Sequence, residues 1–128
     1  MTRTVRPKLY ALPKEDQEQI FLVTWLQKQG IKFYAIPNGG KRSLMEAVKL
    51  KRMGTIAGVP DICIPIPSGM YHGLYIELKR QKGGKVSPEQ YDWLAFLTEK
   101  GYYAQVAKGF DEAKEMVMHY FSFTKPAA

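Results

Sequence analysis

Soft metal ligands are almost missing from this 128-residue chain, which has one cysteine and two histidines. Cys63 has no second cysteine to pair with, and in the apolar run Ile62-Cys63-Ile64 it reads as a small buried hydrophobe. His72 and His119 are far apart in sequence and neither has a cysteine beside it, so a zinc site is not expected. No stretch approaches the ~18 uninterrupted apolar residues of a membrane helix. Met1 to Pro7 carries positive charge without a following apolar run, so no secretory leader is expected and a cytoplasmic location is. Internal repeats, a phosphate-cradling glycine loop and a serine-nucleophile motif are all absent. Acid is in short supply too: 12 Asp and Glu face 19 Lys and Arg, for a net charge of +7. With a pI near 9.5, the expected partner is a polyanion. Nucleic acid ranks above a membrane surface, because no basic segment has the clean apolar stripe needed to lie in a bilayer.

The chain has 45% hydrophobic and 24% charged residues, the balance of an ordinary folded domain. One domain over residues 1–128 is expected, with residues 1–12 flexible or loosely packed. Pro13-Lys14-Glu15-Asp16 opens a helix that runs to about Gln29, where Gly30 stops it. Ile31 to Pro37 reads as a strand ending in the turn Asn38-Gly39-Gly40. A second helix from about Ser43 to Met53 presents Lys49, Lys51 and Arg52, with Leu44, Ala47 and Val48 expected on its buried side. Asp61 to Ile66 and Leu74 to Lys79 alternate in polarity and read as a hairpin. Leu74, Ile76 and Leu78 then leave one face, and Tyr75, Glu77 and Lys79 the other. Ser87-Pro88-Glu89-Gln90 starts a third helix ending at Gly101, followed by a strand over Tyr102–Ala107. A last helix, with Asp111 as its cap, runs to about Tyr120. This order gives an α/β domain in which helices cover a four-stranded sheet.

Asp61 precedes Glu77-Leu78-Lys79 by sixteen positions. On strands of one hairpin, two carboxylates and a lysine can meet at one edge. Such a pair of hard oxygen donors suits Mg²⁺, and the lysine can orient water and offset phosphate charge. The plain alternative is a solvated strand face with a weak ion pair.

These residues resemble the PD-(D/E)xK nuclease superfamily, and within it the VRR-NUC family. The likeness extends over Glu15 with Gln19, Ile36-Pro37-Asn38-Gly39-Gly40, Gly58-Val59-Pro60-Asp61, Gly73 to Lys79, and Ser87-Pro88-Glu89-Gln90. It implies a restriction-endonuclease-like core with a central mixed four-stranded sheet, and a phosphodiesterase acting on DNA with Mg²⁺ or Mn²⁺. In that scheme Asp61 and Glu77 hold the metal and Lys79 is the catalytic lysine. The resemblance favours Glu15 as the first-helix acid, although Glu18 is an equal geometric candidate. Glu15 and Gln19 share a face with Leu22 and Leu26 and are expected to turn inward. Gln90 has two readings, as partner of Ser87 in a capping box or as a side chain beside the active site, and one side chain is not expected to serve both fully.

Asn38, Gly39 and Gly40 form either a tight turn or a close approach to a phosphate backbone. Two basic clusters, Lys41, Arg42, Lys49, Lys51 and Arg52, then Arg80, Lys82 and Lys85, flank the site in sequence and are expected to touch phosphates. Stand-alone members of the resembling family are associated with junction resolution, so branched DNA and a homodimer are expected. Tyr120, Phe121 and Phe123 are candidates for the interface, with packing onto the protein's own sheet as the alternative. The rival functions are a non-catalytic nucleic-acid-binding module and an RNA-cleaving enzyme on the same fold.

Overall fold

The computed structural model describes residues 11–37 and 42–123. Most of the N-terminal segment expected to pack loosely, and the turn residues Asn38, Gly39 and Gly40 with Lys41, lie outside them. The chain runs α1 (Glu15–Lys28), β1 (Tyr34–Ala35), α2 (Leu44–Arg52), β2 (Ile62–Ile64), β3 (Leu74–Lys79), α3 (Pro88–Glu99), β4 (Tyr103–Lys108) and α4 (Phe110–Phe121). The four strands form one mixed sheet in the order β1-β2-β3-β4, antiparallel except for the parallel pair β3 and β4. The α3 helix makes the crossover that a parallel pair requires.

Alternation along β3 decides what lies on each face. Leu74, Ile76 and Leu78 join Ile62 and Ile64 beneath Leu22 and Leu26 of α1 and Val117 and Tyr120 of α4, all fully or almost fully buried. Each such side chain contributes about 1.5–3 kcal/mol by leaving water. On the opposite face Tyr75 packs with Leu94 and Leu97 of α3 and Ala104 of β4. Farther along the same row, Glu77 and Lys79 are buried as well, which overturns the reading of a solvated strand face.

Four other expectations need correction. The first strand shrinks to Tyr34–Ala35, although Ile36 N–H still donates to Asp61 O at 2.8 Å; Pro37 has no N–H to continue the ladder. No residue of α2 is buried, so Leu44, Ala47 and Val48 do not form an inward face. Asp111 lies within α4 and does not cap it, because the N-cap is Gly109 at φ 92°, which has no side chain to offer. Tyr120 is buried in its own chain, its hydroxyl donating to Ile66 O at 2.6 Å, so it is taken up by its own core and leaves nothing for an interface. Ser68 fastens the same helix end, its one hydroxyl proton shared between the Tyr120 and Phe123 carbonyls at 2.6 and 2.9 Å.

Candidate active site

Asp61 reaches its place through a glycine. Gly58 sits at φ 94°, and a Cβ there would fall 2.7 Å from the carbonyl carbon and oxygen of Glu89, so only glycine lets this segment pass the first turn of α3. The Asp61 N–H then donates to Ile76 O at 3.0 Å. Its Oδ2 accepts the Leu78 N–H at 2.8 Å, pinning the carboxylate between Glu77 and Lys79 near the end of β3.

Glu77 is 1% exposed, and its two oxygens differ sharply. Oε2 accepts from Gln90 Nε2 at 3.0 Å and lies 3.5 Å from Lys79 Nζ. Oε1 has no hydrogen-bond partner among the described residues. Burial, and after it the charge of Asp61, pushes the Glu77 carboxyl up to about 8, while Lys79 pulls the other way. Two neighbouring carboxylates supply acceptors and no donor, so a proton or a cation is what satisfies them. Lys79, 8% exposed, is hemmed in by the following loop: a Cβ on Gly84 would lie 3.1 Å from Lys79 Cβ.

Gln90 serves both of its suggested roles, contrary to expectation. Its Oε1 accepts the Ser87 N–H at 2.8 Å and its own N–H donates to Ser87 Oγ at 3.2 Å, closing the capping box. The other end of the same carboxamide donates to Glu77. Acceptor and donor sit on different atoms, so the two roles do not compete.

The first helix divides its acids. Glu18, not Glu15, turns inward, with Oε1 accepting from Phe110 N–H and Oε2 from Gln81 Nε2, both at 2.9 Å. Gln19 is half-buried and Glu15 is exposed. Glu15 nonetheless lies within electrostatic reach of the site: desolvation raises its pKa, Lys79 and Arg80 oppose the rise, and Asp61 adds to it. Among the described residues no three His, Cys, Asp or Glu side chains close on a single point. The carboxylates that influence one another here are Asp61 and Glu77, with Glu15 within electrostatic reach of Asp61.

Arg42, Lys49, Lys51, Arg52, Arg80, Lys82 and Lys85 are all exposed. Arg42 and Lys51 line a groove between α2 and the α3 start, where Glu89 forms the far wall. Sequence reasoning missed the contacts of Glu18 with Gln81 and of Gly58 with Glu89, since no local pattern announces a contact between distant segments.

The profile of the VRR-NUC domain matches residues 13–111. A solved structure described as a VRR_NUC domain protein is 33% identical, covers 88% of this chain and 92% of its own, and superposes with a TM-score of 0.77. No curated protein matches the chain.

Proposed function

Since the chain belongs to the VRR-NUC family, whose domain is of nuclease type, we propose that it hydrolyses phosphodiester bonds in DNA with Mg²⁺ or Mn²⁺. The observation that carries this reading is the buried Oε1 of Glu77, which no donor among the described residues satisfies, beside the Asp61 carboxylate and Lys79. A buried carboxylate oxygen without a donor is costly, and a hard divalent cation between two such groups removes the cost. Asp61 and Glu77 would hold the metal, which supplies positive charge to a phosphate oxygen and acidifies bound water. The Lys79 ammonium orients the attacking water and offsets charge that builds on the phosphate. Gln90 fixes the Glu77 carboxylate by its 3.0 Å hydrogen bond. Glu15, within electrostatic reach of Asp61 and Lys79, would orient water. Exposed Lys49, Lys51, Arg52, Arg80, Lys82 and Lys85, with Arg42, hold the DNA backbone.

Branched DNA, a four-way junction above all, is the substrate we assign. One site cuts one strand, so symmetric cutting of two strands takes two copies about a two-fold axis. With Tyr120 buried, the surface that suits a second copy is the outward side of α2. There Leu44 and Met45 are 80% and 83% exposed, Val48 and Met53 lie beside them, and Lys49 and Arg52 line the same hollow, so a second copy and the DNA backbone would share this face.

The test is incubation with labelled linear, flapped and four-way-junction DNA under Mg²⁺, Mn²⁺ or EDTA. Paired incisions in the junction that EDTA abolishes are expected. Binding without cleavage in every arm would leave a nucleic-acid-binding module, and cleavage confined to an RNA control would reassign the substrate.

A further inference from the structure

Glu18 is a buried carboxylate that the proposed chemistry does not use. It is 2% exposed, and neither of its hydrogen bonds comes from a lysine or arginine. One oxygen takes the Phe110 N–H, the first donor of α4, where the helix dipole favours negative charge. The other takes the Gln81 amide, two residues after Lys79. Between them Gly109 N–H donates to Lys79 O at 2.8 Å. A Cβ on Gly109 would lie 2.7 Å from Gln81 Cγ and 3.2 Å from Glu18 Oε2, so the close approach leaves no room for a side chain. A well-packed apolar residue would fill this space at less cost than a charge. What the carboxylate adds is direction, because it ties α1, the start of α4 and the loop after β3 at one point.

We propose that Glu18 is a positioning residue, which through Gln81 holds the 80–85 loop against Lys79 and aims its basic side chains at the substrate backbone. This rests on the nuclease reading above only for its catalytic consequence. The tether itself has an independent readout. The loop carries Arg80, Lys82 and Lys85 and packs Gly84 onto the Lys79 stem, so a slack loop would loosen both the phosphate contacts and the wall beside the lysine.

The variants are Gln81→Ala, Glu18→Gln and Glu18→Ala. Q81A leaves the buried Glu18 Oε2 without its donor, so it should melt a few degrees below the parent, and trypsin is applied well below both melting temperatures so that cleavage reads the loop and not global unfolding. Losing a hydrogen bond to a charged group should speed trypsin cleavage within the 80–85 loop of Q81A by about tenfold. On four-way-junction DNA with Mg²⁺ its KM should rise about fivefold or more, with a smaller change in kcat. E18Q keeps an acceptor for Phe110 N–H and can donate to a flipped Gln81, so it should restore the parental trypsin rate and KM to within about twofold. E18A should lose loop protection and melt at lower temperature. Parental trypsin sensitivity in Q81A would overturn the tether. A protected loop that slackens in Q81A without any change in KM would overturn the positioning role. Loss of cleavage in E18Q with normal folding and loop protection would also overturn it and make Glu18 a metal ligand. If the parent cuts no DNA, the nuclease reading fails and trypsin still decides the tether.

Discussion

Gln90 and Glu77, on different elements, share a 3.0 Å hydrogen bond while the other end of the Gln90 amide caps the helix that carries it. Helix stability and carboxylate orientation thus depend on one side chain, and substitutions can separate the two. Gln90→Ala removes both and should cost about 1 kcal/mol through the lost cap, with cleavage reduced more than tenfold. Gln90→Glu keeps the acceptor for Ser87 N–H but sets a second acid against Glu77. It should retain α3 helicity by circular dichroism while cleavage still collapses. Parental cleavage rates in Q90E would remove Gln90 from the site.

Glu77 makes metal-free stability depend on pH. Its carboxyl is raised in the folded protein to about 8 from 4.5, so between these values the folded state holds a proton that the unfolded state has released. The folded state therefore loses stability as pH rises through that window. In EDTA the parental melting temperature should fall from pH 5 to pH 8, and Glu77→Gln should flatten the fall and melt higher at pH 8. Equal slopes for the two proteins would show that Glu77 ionises normally.

Gly58→Ala should destabilise by roughly 1–3 kcal/mol, since a Cβ at φ 94° meets the Glu89 backbone at 2.7 Å. Because the same segment delivers Asp61, cleavage at permissive temperature should fall as well. A variant melting like the parent would mean that the α3 turn can give way.

Replacing Lys49, Lys51 and Arg52 together by alanine should lower the slope of log affinity against log salt by about 2–3, near 0.9 for each phosphate no longer neutralised. Fluorescence anisotropy between 50 and 200 mM salt, about the range over which such charges act, measures it. An unchanged slope would place the binding surface away from α2.

Val48→Glu buries a charge in any interface made by the outward face of α2. Sedimentation should then show a monomer at micromolar concentration where the parent is a dimer, with paired junction cuts replaced by single nicks. A monomeric parent would refute the assignment of that face.

How legible this site is from sequence depends on how local each determinant is. Alternation along Leu74–Lys79 gave the sides of β3 without ambiguity, and the Ser87-Pro88-Glu89-Gln90 start of α3 is written in four adjacent residues. Burial was not so written. Glu77 and Lys79 look like a solvated pair until α3 and the 80–85 loop close over them. The mistake at α2 has the same source: Leu44 and Val48 have helical spacing, but spacing cannot say whether a second surface is there to cover them. In α1, spacing left Glu15 and Glu18 as equal candidates and the family resemblance favoured Glu15, whereas contacts with Gln81 and the start of α4 give the inward place to Glu18. Contacts between residues 63 and 92 positions apart leave no trace in a local window.

The parallel pairing of β3 with β4 also has a consequence for the growing chain. Every proposed catalytic and metal-holding side chain is already present once synthesis has passed Gln90, yet the outer edge of β3 stays bare until Tyr103–Lys108 emerges. During that interval the strand bearing Glu77 and Lys79 offers unpaired backbone groups to any other strand it meets. The chemistry is complete before its shelter is, so nascent chains stalled between α3 and β4 are the ones most exposed to mispairing.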